Sequence, residues 1–232
     1  MFNLCEAVID PSLLLGCSDE QLVQVAEHNC LLHPLVVEPL QALTSAAAKA
    51  GFALKVASSY RSFERQLLIW NAKASGARPV LDANGLPLDI TPLTDQEKVF
   101  AILRWSALPG GSRHHWGTDL DIYDASGINA DYQLQLTVAE TEGDGPFAPF
   151  HQWLSAELNQ SDYGFYRPYQ EGVGGIALEP WHLSYAPVAQ VYAAQFTEQL
   201  LRDQLQITDI ALKDALLANL GDIYQRFIRP YC

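Results

Sequence analysis

Apolar and polar positions along the 232-residue chain change period several times. Ser18 and Gln21 form a capping-box pattern ahead of Leu22-Val23-Gln24-Val25-Ala26, which predicts a helix to about Cys30. Pro34 opens a second predicted helix through Ala46-Ala47-Ala48 to Lys49, with Gly51 ending it. Residues 52–57 read as a strand, and Ser62 is placed to cap a helix over residues 63–74. Residues 76–92 are rich in Gly, Pro, Asp and Asn and read as a loop. Thr94 and Glu97 form another capping box, for a helix to about Ala107 that Pro109-Gly110-Gly111 breaks. A short strand is expected over residues 120–123, a turn-rich stretch over 140–149 and a helix over about 150–158. Two β segments, near 164–166 and 176–185, frame Gly172-Val173-Gly174-Gly175. From Pro187 to about Arg229 the pattern is helical, divided near Thr208, which is placed to cap the last helix.

Strands and helices thus mix without regular β-α-β alternation. The expected class is α+β: a small, largely antiparallel sheet with flanking helices, and extra helices at both ends. The length suits one domain over 1–232, with a core from about 52 to 186. Composition agrees, since 49% of residues are hydrophobic, a folded rather than disordered balance. Fourteen basic against 27 acidic residues give a net charge of −13. That disfavours nucleic acid, whose binding rests on neutralising phosphates, and likewise anionic wall polymers and membrane surfaces. The start, Met1-Phe2-Asn3-Leu4-Cys5-Glu6-Ala7, lacks a basic segment, and no apolar run is long enough to span a bilayer. A cytoplasmic location is therefore expected. Cys5, Cys17, Cys30 and Cys232 have no C-x-x-C spacing and read as free thiols.

The chemistry concentrates in two segments, Ser112-Arg113-His114-His115-Trp116-Gly117-Thr118-Asp119-Leu120-Asp121 and Glu179-Pro180-Trp181-His182. A catalytic zinc site needs three protein ligands and an open position for water, and His114, Asp121 and His182 can supply the three. Glu179, three residues before His182, is a candidate base. A lone pair of histidines is more often structural than ligating; the second segment reverses those odds. Gly117 and the β-prone Leu120-Asp121-Ile122-Tyr123 favour a loop entering a strand. On that strand Asp119 and Asp121 share a side, so Asp119 is expected to orient a ligand imidazole. Pro180 forbids a regular central ladder, and a local bend there would aim both Glu179 and His182 at the ion. His115 is expected not to bind metal, and Trp116 and Trp181 to be packing walls.

These segments resemble the S-x-H-x-x-G-x-x-x-D and E-x-W-H motifs of the zinc D-alanyl-D-alanine carboxypeptidases and dipeptidases, the VanY-like metallopeptidases. By fold these are grouped with lysostaphin-type endopeptidases and the Hedgehog signalling domain. Ser58-Ser59-Tyr60-Arg61-Ser62 matches a third element of the family, and the three keep its chain order. Asp119 departs from the family pattern, which carries a small apolar residue there. The resemblance implies a zinc ion on His114, Asp121 and His182, Glu179 as general base, and Arg61 as the cation that stabilises the oxyanion. It places Ser112 and Gln66 among substrate-contacting residues, although either could instead cap or brace a loop. The implied partner is a peptide ending in D-amino acids. The alternatives are a D,D-dipeptidase, an endopeptidase cutting between L- and D-residues, and a zinc-binding interaction module without catalysis. Other hydrolytic signatures are absent: there is no H-E-x-x-H, no G-x-S-x-G, no S-x-x-K and no Walker A loop.

Overall fold

The computed structural model describes residues 8–129 and 131–231. A short helix α1 (Pro11–Leu14) starts on Asp10, whose side chain accepts from Ser12 N–H. Residues 22–30 then depart from the predicted helix: β1 (Val23–Val25) and β2 (Cys30–Leu32) form an antiparallel hairpin. Val23 and Val25 alternate with Gln24 at the period of a strand, and β-branched residues fit that pleat better than a helix. Asn29, at φ 48, makes the left-handed turn between the strands.

Helix α2 (Pro34–Lys49) opens with Pro at its first position and His33 as its cap. Gly51, at φ 91, turns the chain into β3 (Leu54–Ser58). Helix α3 (Phe63–Ala74) starts on Ser62, whose hydroxyl accepts from Arg65 N–H. The 76–92 loop holds a small hairpin of β4 (Val80–Leu81) and β5 (Pro87–Leu88). Helix α4 (Asp95–Leu103) has both halves of the Thr94–Glu97 capping box, but ends four residues before the predicted Ala107.

The main sheet adds β6 (Asp119–Asp124), β7 (Phe165–Tyr166) and β8 (His182–Tyr185), in the order β3-β6-β8-β7, with every pair antiparallel. The fold is therefore α+β with small antiparallel sheets. The last strand begins only at His182, not near residue 176; Glu179 stands before it in irregular backbone, and Pro180 cannot donate to a ladder. Helices α5 (Val138–Thr141) and α6 (Ala148–Gln160) lie between β6 and β7 in the chain. The C-terminal part comprises α7 (Ala186–Gln195), α8 (Glu198–Ile207), α9 (Lys213–Ala218) and α10 (Leu220–Ile223). Thr208 ends α8 rather than capping the last helix; Thr197, capping α8, makes a further break.

The pleat decides what the sheet does. Leu120, Ile122 and Leu183 face a core shared with Leu40, Leu43, Phe150 and Leu154 from α2 and α6. The alternate residues, Asp119, Asp121, His182 and Ser184, point to the opposite face and are paired across β6 and β8. A second core, containing Trp70, Ile102, Val188, Leu201 and Leu216, packs α3, α4 and the C-terminal helices together. Cys17 is exposed and Cys30 buried, both as free thiols, while Cys5 and Cys232 lie outside the described residues. Among the described residues no helix is long and apolar enough to cross a membrane.

Candidate active site

Asp121 and His182 are direct cross-strand partners, so the antiparallel register alone brings them together. His114 arrives from a single 3-10 turn, Arg113–Trp116, that Gly117 ends in the left-handed region at φ 67. That turn folds the chain back so that His114 Nε2 stands 3.4 Å from Asp121 Oδ2. All three side chains are buried, and one ligand atom from each lies within 4.8 Å of the others.

The hydrogen bonds fix the tautomers of both rings. His114 Nδ1 lies 2.8 Å from the Ser59 carbonyl, which can only accept, so the free lone pair is on Nε2, toward Asp121. His182 Nε2 lies 2.8 Å from Asp119 Oδ1 and donates to it, leaving Nδ1 toward Asp121. Asp121 Oδ1 is 3.1 Å from that Nδ1 and buried, without a hydrogen-bond partner among the described residues. Two imidazole nitrogens and a carboxylate thus converge on one point. Burial works against a charge on His182, yet Asp119, Asp121 and Glu179 hold its pKa well above the ordinary value, so a metal ion there would take the place of the Nδ1 proton.

Asp119 stands where strand parity put it. It also accepts from Thr118 Oγ1, Ser184 Oγ and Arg113 Nε. Burial works against its ionisation, but Arg113 and His182 hold its carboxyl well below the usual range. Arg113 itself is buried and donates further to Ser184 Oγ, the Tyr166 hydroxyl and the carbonyl of Tyr231.

Glu179 reaches the same point from the bend. His182 N–H donates to the Glu179 carbonyl at 3.1 Å, closing a turn over Pro180 and Trp181. Glu179 Oε2 then lies 3.5 Å from His182 Nδ1, with 16% of its side chain exposed. Arg61 leaves β3 with its backbone N–H on the His114 carbonyl, and its guanidinium donates to Ser58 Oγ and Gln66 Oε1. Gln66 is fully buried and donates to the Ala107 carbonyl, so it braces Arg61. Ser112 Oγ is buried with no hydrogen-bond partner among the described residues.

A cavity of about 280 Å³ joins these groups; its walls include Arg61, Ser112, His114, Asp121, Glu179 and His182, with Trp181 and Tyr169 beside them. His115 stays outside. Its Nε2 accepts from Gly110 N–H, its Nδ1 donates to the Arg61 carbonyl, and burial pushes its pKa down to about 3. Trp116 is packed in the second core, with its indole N–H on the Leu14 carbonyl. Sequence reasoning missed Lys73, which lines the cavity from the last turn of α3. Burial and the cations Arg78 and Arg61 lower its pKa, against the pull of Glu179. It missed Tyr169 too, whose ring stands 4.6 Å from that of His182. Neither sits in a motif, and only the tertiary fold reveals them.

Fold and site together define an α+β protein with a buried two-histidine, one-carboxylate centre that opens into a cleft beside a carboxylate and an arginine. Residues 29–188 match the model of the VanY family, D-alanyl-D-alanine carboxypeptidase. The chain belongs to this family of peptidases acting on peptidoglycan peptides. An uncharacterized protein of Haemophilus influenzae is 48% identical over 103 residues, 43% of this chain and 70% of that one. A structure of VanYB in complex with D-alanine-D-alanine shares the fold at TM-score 0.52 and 22% identity, covering 81% of this chain and 89% of that one. A mutant of the vancomycin resistance D,D-pentapeptidase VanY in complex with Zn(II) does so at TM-score 0.51 and 21% identity, covering 84% and 88%.

Proposed function

We propose that the protein is a zinc-dependent carboxypeptidase that removes the terminal residue from peptides ending in D-alanyl-D-alanine. The observation that carries this reading is the convergence of His114 Nε2, His182 Nδ1 and the Asp121 carboxylate beside Glu179 and Arg61. Neutral nitrogen and carboxylate oxygen suit a zinc ion with one position left open. The complexes of VanY with Zn(II) and of VanYB with D-alanine-D-alanine lend support to both metal and substrate class.

A zinc ion held there would polarise the scissile carbonyl and acidify a water. The chain's own groups do the rest. Glu179 takes a proton from the attacking water and returns it to the leaving amine, so one carboxylate serves as base and then acid. Arg61, braced by Gln66 and Ser58, meets the carbonyl oxygen as it gains charge. Ser112 Oγ, without a hydrogen-bond partner among the described residues, is available to the peptide backbone. Lys73 is a cation for the terminal carboxylate, which an endopeptidase would not need.

Peptide length follows from the surroundings. A cleft of about 670 Å³ shares Trp105 and Ile176 with the 280 Å³ cavity, leaving room for residues on the N-terminal side of the scissile bond. That favours a carboxypeptidase over a dipeptidase, which must close this side. The test is incubation of zinc-loaded protein with a pentapeptide ending in D-Ala-D-Ala, its C-terminal amide, and free D-Ala-D-Ala, with and without chelator. Chelator-sensitive release of one D-alanine from the free-acid pentapeptide, with little dipeptide cleavage, is expected. Preferential cleavage of the dipeptide would reassign it as a dipeptidase. Release of nothing from any of the three by zinc-loaded protein would overturn the catalytic reading.

A further inference from the structure

The Gly172-Val173-Gly174-Gly175 run takes no part in the metal centre, yet it forms a wall of the cleft of about 670 Å³. Ile176, which follows it, lines both that cleft and the metal cavity. Glycine leaves a chain with little local preference for one conformation, so something else must hold this strap. That support is the segment after α10, a π turn (Tyr224–Ile228) running into a 3-10 turn (Arg229–Tyr231). It lies beyond residues 29–188, which match the family.

Three hydrogen bonds join the two segments. Gly175 N–H donates to the Arg226 carbonyl at 2.7 Å, one of the carbonyls that a helix end leaves without a helical partner. The Tyr231 hydroxyl donates to the Val173 carbonyl at 2.6 Å and accepts from Ile176 N–H at 3.0 Å. One oxygen thus ties down both ends of the strap. The approach is close: a Cβ on Gly174 would collide with the Tyr231 hydroxyl, and one on Gly175 would stand 2.5 Å from the Phe227 ring. Tyr231 also reaches the metal centre. Its carbonyl accepts from Arg113 Nη1, and Arg113 pairs with Asp119, the partner of His182. Its ring packs edge-on against Tyr169 at 4.9 Å, and Tyr169 against His182 at 4.6 Å.

We infer that Tyr231 is a positioning residue for the peptide: its hydroxyl holds the 172–176 strap against the part of the substrate N-terminal to the scissile bond. Tyr231 is 4% exposed and acts through the strap, not on the peptide itself. Because its ring and carbonyl are fixed on the metal-centre side, the strap stays at a set distance from the reacting bond. This inference rests on the carboxypeptidase reading, and it makes a segment outside the family match part of the substrate site.

The test compares zinc-loaded parent and Tyr231→Phe on two substrates. One is the pentapeptide ending in D-Ala-D-Ala; the other is N-acetyl-D-Ala-D-Ala, which has no further residue for the strap to meet. The substitution leaves the Val173 carbonyl and Ile176 N–H unmet but keeps the ring and the Tyr231 carbonyl. For the pentapeptide, KM should rise about tenfold with kcat held within about twofold, the size of effect one lost hydrogen-bonding group gives. The short substrate should change by less than about twofold, since the metal centre is untouched. Amide exchange at Ile176 should quicken, as a released strap opens more often. A residue that only stabilised the fold would affect both substrates alike. Gly174→Ala, which displaces the strap and leaves Tyr231 intact, should give the same split and stands in if Tyr231→Phe does not fold. An unchanged pentapeptide KM, equal losses on both substrates, or parental exchange at Ile176 would overturn the inference alone. A parent that cleaves neither substrate would overturn the carboxypeptidase reading and this inference with it.

Discussion

The ring of His182 touches three carboxylates: Nε2 meets Asp119, and Nδ1 faces Asp121 and Glu179. Each has a separate task. On the proposed reading, Asp119 accepts the Nε2–H hydrogen bond and so leaves Nδ1 to ligate, Asp121 offers the anionic ligand, and Glu179 stays free for protons in transit. Since outer partners of ligand histidines typically tune affinity about 10- to 100-fold, Asp119→Asn should weaken zinc by roughly that factor. A competitive chelator titration would measure it, and unchanged affinity would remove Asp119 from this role. Glu179→Gln should behave oppositely, keeping zinc affinity within about twofold while kcat falls roughly a thousandfold, the usual worth of a positioned base. Activity near the parent level in that variant would assign the base elsewhere. Much of this was legible from the chain. Residue types and spacing pointed to His114, Asp121, His182 and Glu179, and strand parity alone put Asp119 on their side. Arg113 was not legible, because its meaning depends on the Tyr231 carbonyl 118 residues away and on Ser184.

Among elements, the turn between His114 and the strand β6 carries the most consequence per residue. Gly117 stands at φ 67, and a Cβ there would meet Leu22 Cδ2 at 2.5 Å and the His33 backbone nitrogen at 3.0 Å. His33 N–H also donates to the Gly117 carbonyl, which ties the turn to the start of α2. Gly117→Ala should therefore cost on the order of 1–3 kcal/mol, from backbone strain plus crowding. It should also move His114 relative to Asp121 and weaken zinc. Denaturant unfolding and a metal titration on one preparation would check both; an unaltered midpoint would mean the turn relaxes freely. The same region shows where reading elements from sequence fails. Val23 to Ala26 sits behind a plausible cap, but two valines flanking Gln24 pair with Cys30–Leu32 across the turn at Asn29. That pairing is a local hairpin closed at Asn29, and the strand alternation of Val23 and Val25 outweighed the capping pattern. The capping signals at Ser62 and Thr94 succeeded because each cap's partner lies within its own first turn.

Over the whole molecule, one face of the sheet serves the core and the other the site, and the C-terminal helices close the second core around α3 and α4. The α+β class was readable from unequal runs of the two periods, but the sheet order β3-β6-β8-β7 was not, since it depends on which distant strands meet. Close packing carries a pH cost. Burial, with Arg167 alongside, pushes the His151 pKa down to about 3, while an unfolded chain would protonate it near the ordinary histidine value of about 6.5. Below that value the unfolded state binds a proton that the folded state refuses. Stability from this group is thus intact above about pH 6.5 and drains as pH falls toward 3. Between pH 7 and pH 5 the loss from this ring should be about 2 kcal/mol. Urea unfolding of protein stripped of metal keeps zinc release out of the measurement, and His151→Phe provides the comparison, having no proton to bind in either state. The parent should lose about 2 kcal/mol more than the variant across that interval. Equal pH slopes for the two proteins, or a His151 ring titrating near pH 6 by NMR, would show that acid reaches this ring without unfolding the chain.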